Sequence, residues 1–208
     1  MPRWSIPAPA WFVAALIPMV GSQIVRLNQH DPAAWIFSDY IGRLAALAVL
    51  VAIPSARSVA FRPHERRMPL WRVALWVIGI AAIDIALLIF VTPKIDAAFP
   101  ATILGTYPRP SGSLYWIDTV LGLALVAYSE EVIFRRCARH VIESRVGDGY
   151  LLVVASSLLF GAYHWWTGLG SIVEATIMGV LLMLFLRRAG SLWPVVLAHY
   201  LADVLSFA

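Results

Sequence analysis

Charged residues are scarce in this chain. Only 13% of its 208 residues are charged, whereas 61% are hydrophobic. A soluble domain averages about 25% charged and about 45–50% apolar residues. With a mean hydropathy of +0.78, the composition excludes an ordinary soluble domain and predicts that nearly all of the chain lies in lipid.

Cysteine and lysine are almost absent. The single cysteine, Cys137, cannot form an internal disulfide and has no partner for a cysteine-based metal motif. All but one of the basic residues are arginine. The basic loop from Arg57 to Arg72 is interpreted as facing lipid headgroups, so no nucleic-acid partner is predicted.

Apolar runs long enough to cross a bilayer, about 20 residues each, recur along the chain. Six or eight spans are open alternatives, but we draw seven, at about 9–26, 34–54, 70–92, 114–135, 150–167, 171–187 and 191–207. The predicted fold class is therefore all-α, a polytopic transmembrane bundle of about seven helices with a buried polar cavity. The first run lacks an A-x-A cleavage site, so an uncleaved first helix is expected.

The placement of basic residues predicts the orientation. With the N-terminus inside, twelve of the 16 basic residues fall in inner segments and three, Arg26, Lys94 and Arg109, in outer ones. Cytoplasmic loops carry an excess of lysine and arginine. We expect a multi-pass protein of a bacterial inner membrane, with the N-terminus cytoplasmic and the C-terminus outside.

Ionisable residues inside the spans are costly, at about 2.5–3.5 kcal/mol each on insertion scales. Asp39 and Arg43 are four residues apart and are interpreted as a structural ion pair. Asp84, Asp118 and Glu174 are lone acids. Interhelical hydrogen bonds are the default explanation for them, and a water-filled cavity is the alternative.

Two adjacent acids on the fourth predicted helix need different roles. Neighbouring residues of a helix point about 100° apart, so Glu130 and Glu131 face different surroundings. Glu131 can pair with Arg135, four residues on, which leaves Glu130 without a local partner. A general base and an acid at a headgroup-exposed helix end are both open at this point.

Two histidine patterns follow on later helices. Phe160 and His164 share one face of the fifth predicted helix, and His199 and Asp203 share one face of the seventh. A lone histidine in an apolar helix is often a core residue. A histidine–carboxylate pair either orients the imidazole or ligates a metal, so neither pattern decides the function alone.

A turn at Gly147-Asp148-Gly149 predicts that two of these helices bring their polar residues together. Glu130 lies 18 residues before Asp148, and His164 lies 16 residues after it. In an antiparallel hairpin rising about 1.5 Å per residue, the two lie within about 3 Å of the same height. His199 and Asp203 fall well inside the bilayer, so all three helices can share one buried cavity.

Taken in this order on successive membrane helices, these residues resemble the CPBP family, which comprises CAAX prenyl proteases and bacteriocin-processing enzymes and is also called Abi. The resemblance covers about residues 114–207. It rests on Glu-Glu-x-x-x-Arg (Glu130, Glu131, Arg135), Phe-x-x-x-His (Phe160, His164) and His-x-x-x-Asp (His199, Asp203). The first three helices carry no matching motif. We therefore divide one integrated membrane domain into N-terminal helices, 1–113, and a catalytic core, 114–208.

The resemblance implies a glutamate-dependent intramembrane endopeptidase. Glu130 would activate the attacking water with the help of His164. Glu131 and Arg135 would brace the site, with Phe160 in structural support. No cofactor is expected, and the implied partners are the lipid bilayer and a protein or peptide substrate that is itself membrane-associated.

The last motif departs from the family pattern. The family often has asparagine at its final position, where this chain has Asp203. An aspartate donates a hydrogen bond only when it is protonated. We therefore expect Asp203 to orient and charge His199, and His199 to be the main donor to the oxyanion.

Other functions are open on the sequence alone. A zinc peptidase is one rival, because Glu130, His164, His199 and Asp203 are all zinc-ligand types, although no H-E-x-x-H motif is present. A non-catalytic immunity or scaffolding protein is another, and a proton-relay transporter would need inverted repeats that are not recognisable. No G-x-S-x-G motif occurs. The substrate also stays open between prenylated CAAX tails, peptide precursors and C-terminal membrane tails.

Overall fold

A computed structural model describes residues 6–63 and 68–207. Within these ranges the chain is helical except for short connections and one isolated β-bridge, between Ile103 and Thr167. The α-helices are α1 Ala8–Arg26, α2 Pro32–Ala52, α3 Pro54–Ala60, α4 Leu70–Phe90, α5 Thr92–Ala98, α6 Gly112–Ile117, α7 Leu123–Glu130, α8 Arg139–Val146, α9 Tyr150–Tyr163, α10 Leu169–Ala189 and α11 Leu192–Phe207. The predicted all-α bundle is confirmed.

The helices have the lengths and surfaces of a membrane protein. Four helical stretches are long and apolar enough to cross a bilayer, namely Ala8–Arg26, Pro32–Ala52, Leu70–Ala98 and Leu169–Ala189, and α9 and α11 are shorter apolar helices. Large apolar side chains such as Ile17, Leu75 and Ile78 point outward. Lipid rather than water is the solvent that suits such a surface. The chain is a multi-pass membrane protein.

Two prolines set the limits of α2. Pro32 stands at its first position, where the missing N–H is not needed. The Asp31 carboxylate before it accepts a hydrogen bond from the Ala34 N–H at 2.9 Å, which caps the helix. Pro54 follows Ile53 and begins α3, because a residue before proline is driven into extended conformation. These signals fix the register of α2, the helix that carries Asp39 and Arg43.

One long helical stretch runs through the middle of the bundle. Segments α6, α7 and α8 are joined without a break by two π-helical segments, Asp118–Gly122 and Glu131–Ala138. The second contacts α1, α3, α9 and α11. π-Helical turns are rare and often occur at functional sites. Here the π segment begins at Glu131, so the two adjacent acids lie at the junction of two helix types.

Candidate active site

Glu130 faces three different polar groups. It is the last residue of α7 and is buried. Its Oε1 lies 2.9 Å from Nη1 of Arg43. Its Oε2 lies 4.0 Å from Nε2 of His164 and 3.9 Å from Nε2 of His199. Oε2 is buried and accepts no hydrogen bond within the described ranges, so one carboxylate oxygen is held by a cation and the other is presented to two imidazoles.

Arg43 brings the second helix into the site. Its Nε lies 2.7 Å from Oδ2 of Asp39, which is the predicted structural pair. Its Nη1 also donates to Oγ of Ser129 at 3.1 Å. The spacing argument that left Glu130 without a partner considered only its own helix. The partner, Arg43, lies on α2. The signal for this role was present in the sequence, since an arginine inside an apolar span requires a carboxylate nearby.

The hydrogen bonding of His164 defines which nitrogen faces the glutamate. His164 follows the last residue of α9, and its Nδ1 lies 2.9 Å from the carbonyl oxygen of Phe160. A carbonyl oxygen can only accept, so Nδ1 carries the proton. In the neutral ring Nε2 then offers a lone pair toward Glu130. The side chain keeps 26% of its surface exposed, so this nitrogen stands at an accessible edge of the site.

The backbone around His164 is held from two sides. Backbone N–H groups of Leu104 and Gly105 both donate to the carbonyl oxygen of Trp166 at 3.0 Å. The side-chain amide of Gln23 on α1 donates to the carbonyl oxygen of Tyr163 at 3.1 Å. The histidine is therefore placed by a fixed loop and not by α9 alone.

His199 on α11 is oriented by Glu131. Its Nδ1 lies 2.9 Å from Oε1 of Glu131, while its Nε2 lies 3.6 Å from Oδ1 of Asp203. The expected orienting carboxylate, Asp203, therefore stands on the Nε2 side of the ring, and Glu131 is the residue hydrogen-bonded to Nδ1. With Nδ1 donating, Nε2 carries a hydrogen only when the ring is doubly protonated.

Arg135 and Phe160 lie behind Glu131. The Nε of Arg135 is 3.2 Å from Oε2 of Glu131, without hydrogen-bond geometry. The Cζ of Arg135 stands 4.3 Å from the ring centroid of Phe160, a distance typical of a cation–π contact. The predicted pair is thus present as an ion pair, and the aromatic ring covers its cation.

The hairpin turn places the two helices as its spacing predicts. The long helical stretch ends at Val146 and α9 begins at Tyr150, with Gly147 in a left-handed conformation at φ 73°. Thirteen or more residues on each side of the turn are helical. Glu130 and His164 therefore meet at the same height of the bundle.

The three lone acids, Asp84, Asp118 and Glu174, accept hydrogen bonds from other segments outside this site. Asp84 accepts from Oγ of Ser206 at 3.0 Å, and Glu174 accepts from Oγ1 of Thr92 at 2.6 Å. Asp118 accepts from the hydroxyls of Tyr40 and Tyr107. These are the interhelical hydrogen bonds expected by default, except that Tyr107 lies in the connection before α6. Burial, followed by the Asp118 carboxylate, raises the pKa of Tyr107 above its ordinary value.

The donor set was compared with the needs of a metal ion. Across the described ranges, no three histidine, cysteine, aspartate or glutamate side chains are grouped in a way that could hold one. Among the described residues, the zinc hypothesis therefore has no such group to support it.

The order of the motifs and their geometry agree with a known family. Residues 112–205 match a family model described as Rce1-like, type II CAAX prenyl endopeptidase Rce1-like. This stretch is Rce1-like. The resemblance to the CPBP family is thereby confirmed, and at the family level the match supports a CAAX-type membrane protease. No curated protein and no solved structure matches the chain significantly.

The Rce1-like stretch contains all seven residues predicted from the motifs, while Arg43 lies outside it. The structure brings five of the seven into one cluster: Glu130, Glu131, His164, His199 and Asp203. Arg135 and Phe160 border that cluster. Ser129 supports Arg43, and Ser156 bonds only to the carbonyl oxygen of Val153 among the described contacts.

Proposed function

We propose that the chain is an intramembrane endopeptidase in which Glu130 activates a water molecule. One observation carries the proposal: the buried Oε2 of Glu130 stands about equally far from two imidazole nitrogens, at 4.0 Å from His164 and 3.9 Å from His199. Such separations are too long for direct hydrogen bonds and suit a bridging water. A reacting water at this point touches a base, a second proton carrier and a donor.

The chemistry follows from these contacts. The water oxygen attacks the peptide carbonyl carbon while its proton passes to Oε2 of Glu130 or Nε2 of His164. The carbonyl oxygen becomes an oxyanion, which the Nε2–H of doubly protonated His199 stabilises. The C–N bond then breaks, and the leaving nitrogen takes up the proton held by Glu130 or His164. The products are a free carboxylate and a free amine.

Other residues act by positioning these groups. Arg43 holds Oε1 of Glu130 at 2.9 Å, so that Oε2 is the oxygen turned toward the imidazoles. Glu131 holds Nδ1 of His199 at 2.9 Å, which leaves Nε2 as the nitrogen facing the reaction centre. Catalysis by fixed donors depends on such preorganisation, because no reorganisation is then needed during the reaction.

We further propose a membrane-associated protein or peptide as the substrate. The Rce1-like match favours a prenylated CAAX tail; a peptide precursor and a C-terminal membrane tail are the other candidates. The proposed location is the inner membrane of a bacterium, with the N-terminus in the cytoplasm. No metal or other cofactor is part of the proposed reaction, and no nucleic acid is a proposed partner.

The test is a comparison of membrane-protein termini in cells that carry the wild-type chain, Glu130→Gln, His164→Ala or Glu174→Gln. New termini should appear with the wild type and Glu174→Gln, and should be lost with the two site variants. Glu174→Gln is the control, because it removes a partly buried glutamate that lies outside the site and is bound to Thr92. Removing a general base costs about 10²–10⁴-fold in rate.

Purified proteins then separate the rivals. Cleavage of a farnesylated CAAX peptide, or of a substrate found by its termini, should persist in a tight metal chelator. Cys137→Ser should also retain it. Retained cleavage by purified Glu130→Gln would refute the proposal, and loss of all cleavage with the chelator would favour a zinc peptidase. A Glu130→Gln protein that keeps its cellular effect would favour a non-catalytic role.

A further inference from the structure

Arg26 is a buried charge that the proposed reaction does not use. It is the last residue of α1, and only 3% of its side chain is exposed. Its Nη1 donates to Oδ1 of Asp39, a buried residue of α2. A buried guanidinium costs free energy unless a carboxylate pairs with it. The pairing of Arg26 with Asp39 therefore ties α1 to α2, the helix that also carries Arg43.

The contacts continue from Asp39 to Glu130. The carboxylate of Asp39 is divided between two arginines, because Oδ1 accepts from Arg26 and Oδ2 lies 2.7 Å from Nε of Arg43. Arg43 is divided in turn, since its Nη1 lies 2.9 Å from Oε1 of Glu130. Each of the four side chains is at most 5% exposed. They form a continuous row of alternating charges, which we call the ion chain: Arg26, Asp39, Arg43 and Glu130.

The ion chain contains two cations and two carboxylates, so its charges balance. Without the cation of Arg26, Arg43 alone would face both Asp39 and Glu130. Water and salt screen buried charges poorly, so the two carboxylates would compete for one guanidinium. Asp39 has the advantage in this competition, because it lies four residues from Arg43 on the same helix. The cation of Arg26 therefore leaves Arg43 free to hold Glu130.

Arg26 also lies against the loop that follows His164. Its Cζ stands 4.2 Å from the ring centroid of Trp35 and 5.3 Å from that of Trp166, and both distances are within the range of a cation–π contact. The carbonyl oxygen of Trp166 accepts two backbone hydrogen bonds that fix this loop. One guanidinium thus contacts both the ion chain that ends at Glu130 and the loop that holds His164.

We propose that Arg26 is a positioning residue of the active site and acts on Glu130 through Asp39 and Arg43. This role rests on the proposed function, because the direction of Oε2 matters only if Glu130 activates the water. Arg26 neutralises Asp39, so Arg43 holds Oε1 of Glu130 and Oε2 stays turned toward the imidazoles. Arg26 itself touches neither the water nor the peptide in this scheme.

The test compares kcat and KM of purified full-length variants on a farnesylated CAAX peptide, or on a substrate found by its termini. Arg26→Gln should lower kcat by about tenfold or more and leave KM within about threefold of the wild type, since the displaced group acts in the chemical step. Arg26→Gln/Asp39→Asn removes one charge of each sign, so Arg43 and Glu130 keep each other. This charge-balanced variant should be several-fold more active than Arg26→Gln.

The matched control is Arg72→Gln. It also removes an arginine from the face of a tryptophan, because Cζ of the exposed Arg72 lies 4.9 Å from the ring centroid of Trp71. The control should keep the kcat of the wild type. A role of Arg26 in packing alone would not produce the recovery of activity in the charge-balanced variant, since that variant changes two buried side chains.

Thermal unfolding midpoints in detergent test the ion chain without any cleavage. Arg26→Gln should lower the midpoint by less in a Glu130→Gln background than in the wild type, because Asp39 then has Arg43 to itself. Residues of one ion-pair network show such coupling. If Arg26→Gln does not fold alone, recovery of a folded protein in the Glu130→Gln background gives the same answer. A wild type that cleaves neither substrate would refute the protease activity, and the midpoints would still decide whether the ion chain exists.

Three results would overturn the role of Arg26. The first is a kcat of Arg26→Gln equal to that of the wild type. The second is a charge-balanced variant that is unfolded or no more active than Arg26→Gln, because Arg26 would then act by packing and not through the charge of Asp39. The third is an equal loss of midpoint in the two backgrounds, which would show that Arg26 and Glu130 are not coupled.

Discussion

Glu130 and Glu131 are adjacent, but the arginines that pair with them differ in how many carboxylates they contact. Arg43, the partner of Glu130, also contacts Asp39 at 2.7 Å and stays paired when Glu130 is neutralised. Arg135 has one carboxylate, Glu131, within ion-pair distance among the described residues. Neutralising Glu131 therefore leaves a fully buried guanidinium without a counter-ion. Breaking such a pair costs roughly 3–5 kcal/mol.

We predict that Glu131→Gln destabilises the protein more than Glu130→Gln. The thermal unfolding midpoint of Glu131→Gln in detergent should fall well below that of the wild type, while Glu130→Gln should stay near it and lose cleavage. Glu174→Gln serves as the control for removal of a partly buried, hydrogen-bonded carboxylate outside the site. An equal or larger loss of stability in Glu130→Gln would show that Arg43 depends on Glu130 for its burial.

At the residue level, local spacing identified some contacts and missed others. Glu130 and His164 could be placed at one height because a single turn joins their helices, so a residue count is enough. Arg43 is 87 positions from Glu130 along the chain, and no spacing rule links them. Their contact depends on how α2 packs against α7. Only the cost of a charge inside a span pointed to Arg43 as an unusual residue.

The pairing of α9 and α10 depends on a glycine three residues before His164. A Cβ built on Gly161 would lie 1.9 Å from Oγ1 of Thr176 and 2.6 Å from the carbonyl oxygen of Ile172. The backbone oxygen cannot rotate away, so the helices must separate. Overpacking of this kind costs about 1–3 kcal/mol, and the end of α9, which positions His164, would move with it.

We predict that Gly161→Ala lowers both the unfolding midpoint and the rate of cleavage. The rate should fall by about tenfold or more, since a 1 Å displacement of a reacting group can cost about a hundredfold. Gly79→Ala is the control, because a Cβ at Gly79 in α4 meets nothing within 4 Å. It should retain activity and be as stable as the wild type or more stable. Full activity in Gly161→Ala would show that the helix contact does not set the position of His164.

The second π segment, Glu131–Ala138, is an element that the sequence does not predict. The run Glu131–Ala138 has the residues of an ordinary helix, and its i, i+4 pair, Glu131 and Arg135, predicts an ordinary helical face. The wider turn arises where four other helices, α1, α3, α9 and α11, pack around it. Apolar length and turn residues predict that a helix exists, but such irregularities depend on tertiary packing.

For the whole molecule, the Rce1-like stretch is not sufficient to describe the site. Residues 112–205 hold the motifs, yet Arg43 contacts Glu130, and Gln23 holds the backbone of Tyr163 and accepts from Nε1 of Trp165. The division at residues 113 and 114 stays a prediction. These contacts show how helices without a recognisable motif can support the residues that have one.

The charge pattern distinguishes the two ends of the molecule. The loops and helix ends predicted to face the cytoplasm carry twelve of the 16 basic residues. Arg26, Lys94 and Arg109 belong to segments predicted to face outward. Because basic loops stay on the cytoplasmic side, we predict that the turn between α8 and α9 faces the cytoplasm and that the C-terminus lies outside.

Reporter fusions test this orientation. Alkaline phosphatase fused after Ala208 should be active, and green fluorescent protein fused there should be dark, because each reporter works on one side of the membrane only. The same reporters inserted at Asp148, between α8 and α9, should give the opposite result. The reverse pattern would place the turn between α8 and α9 on the outer face and would contradict the orientation predicted from the basic residues.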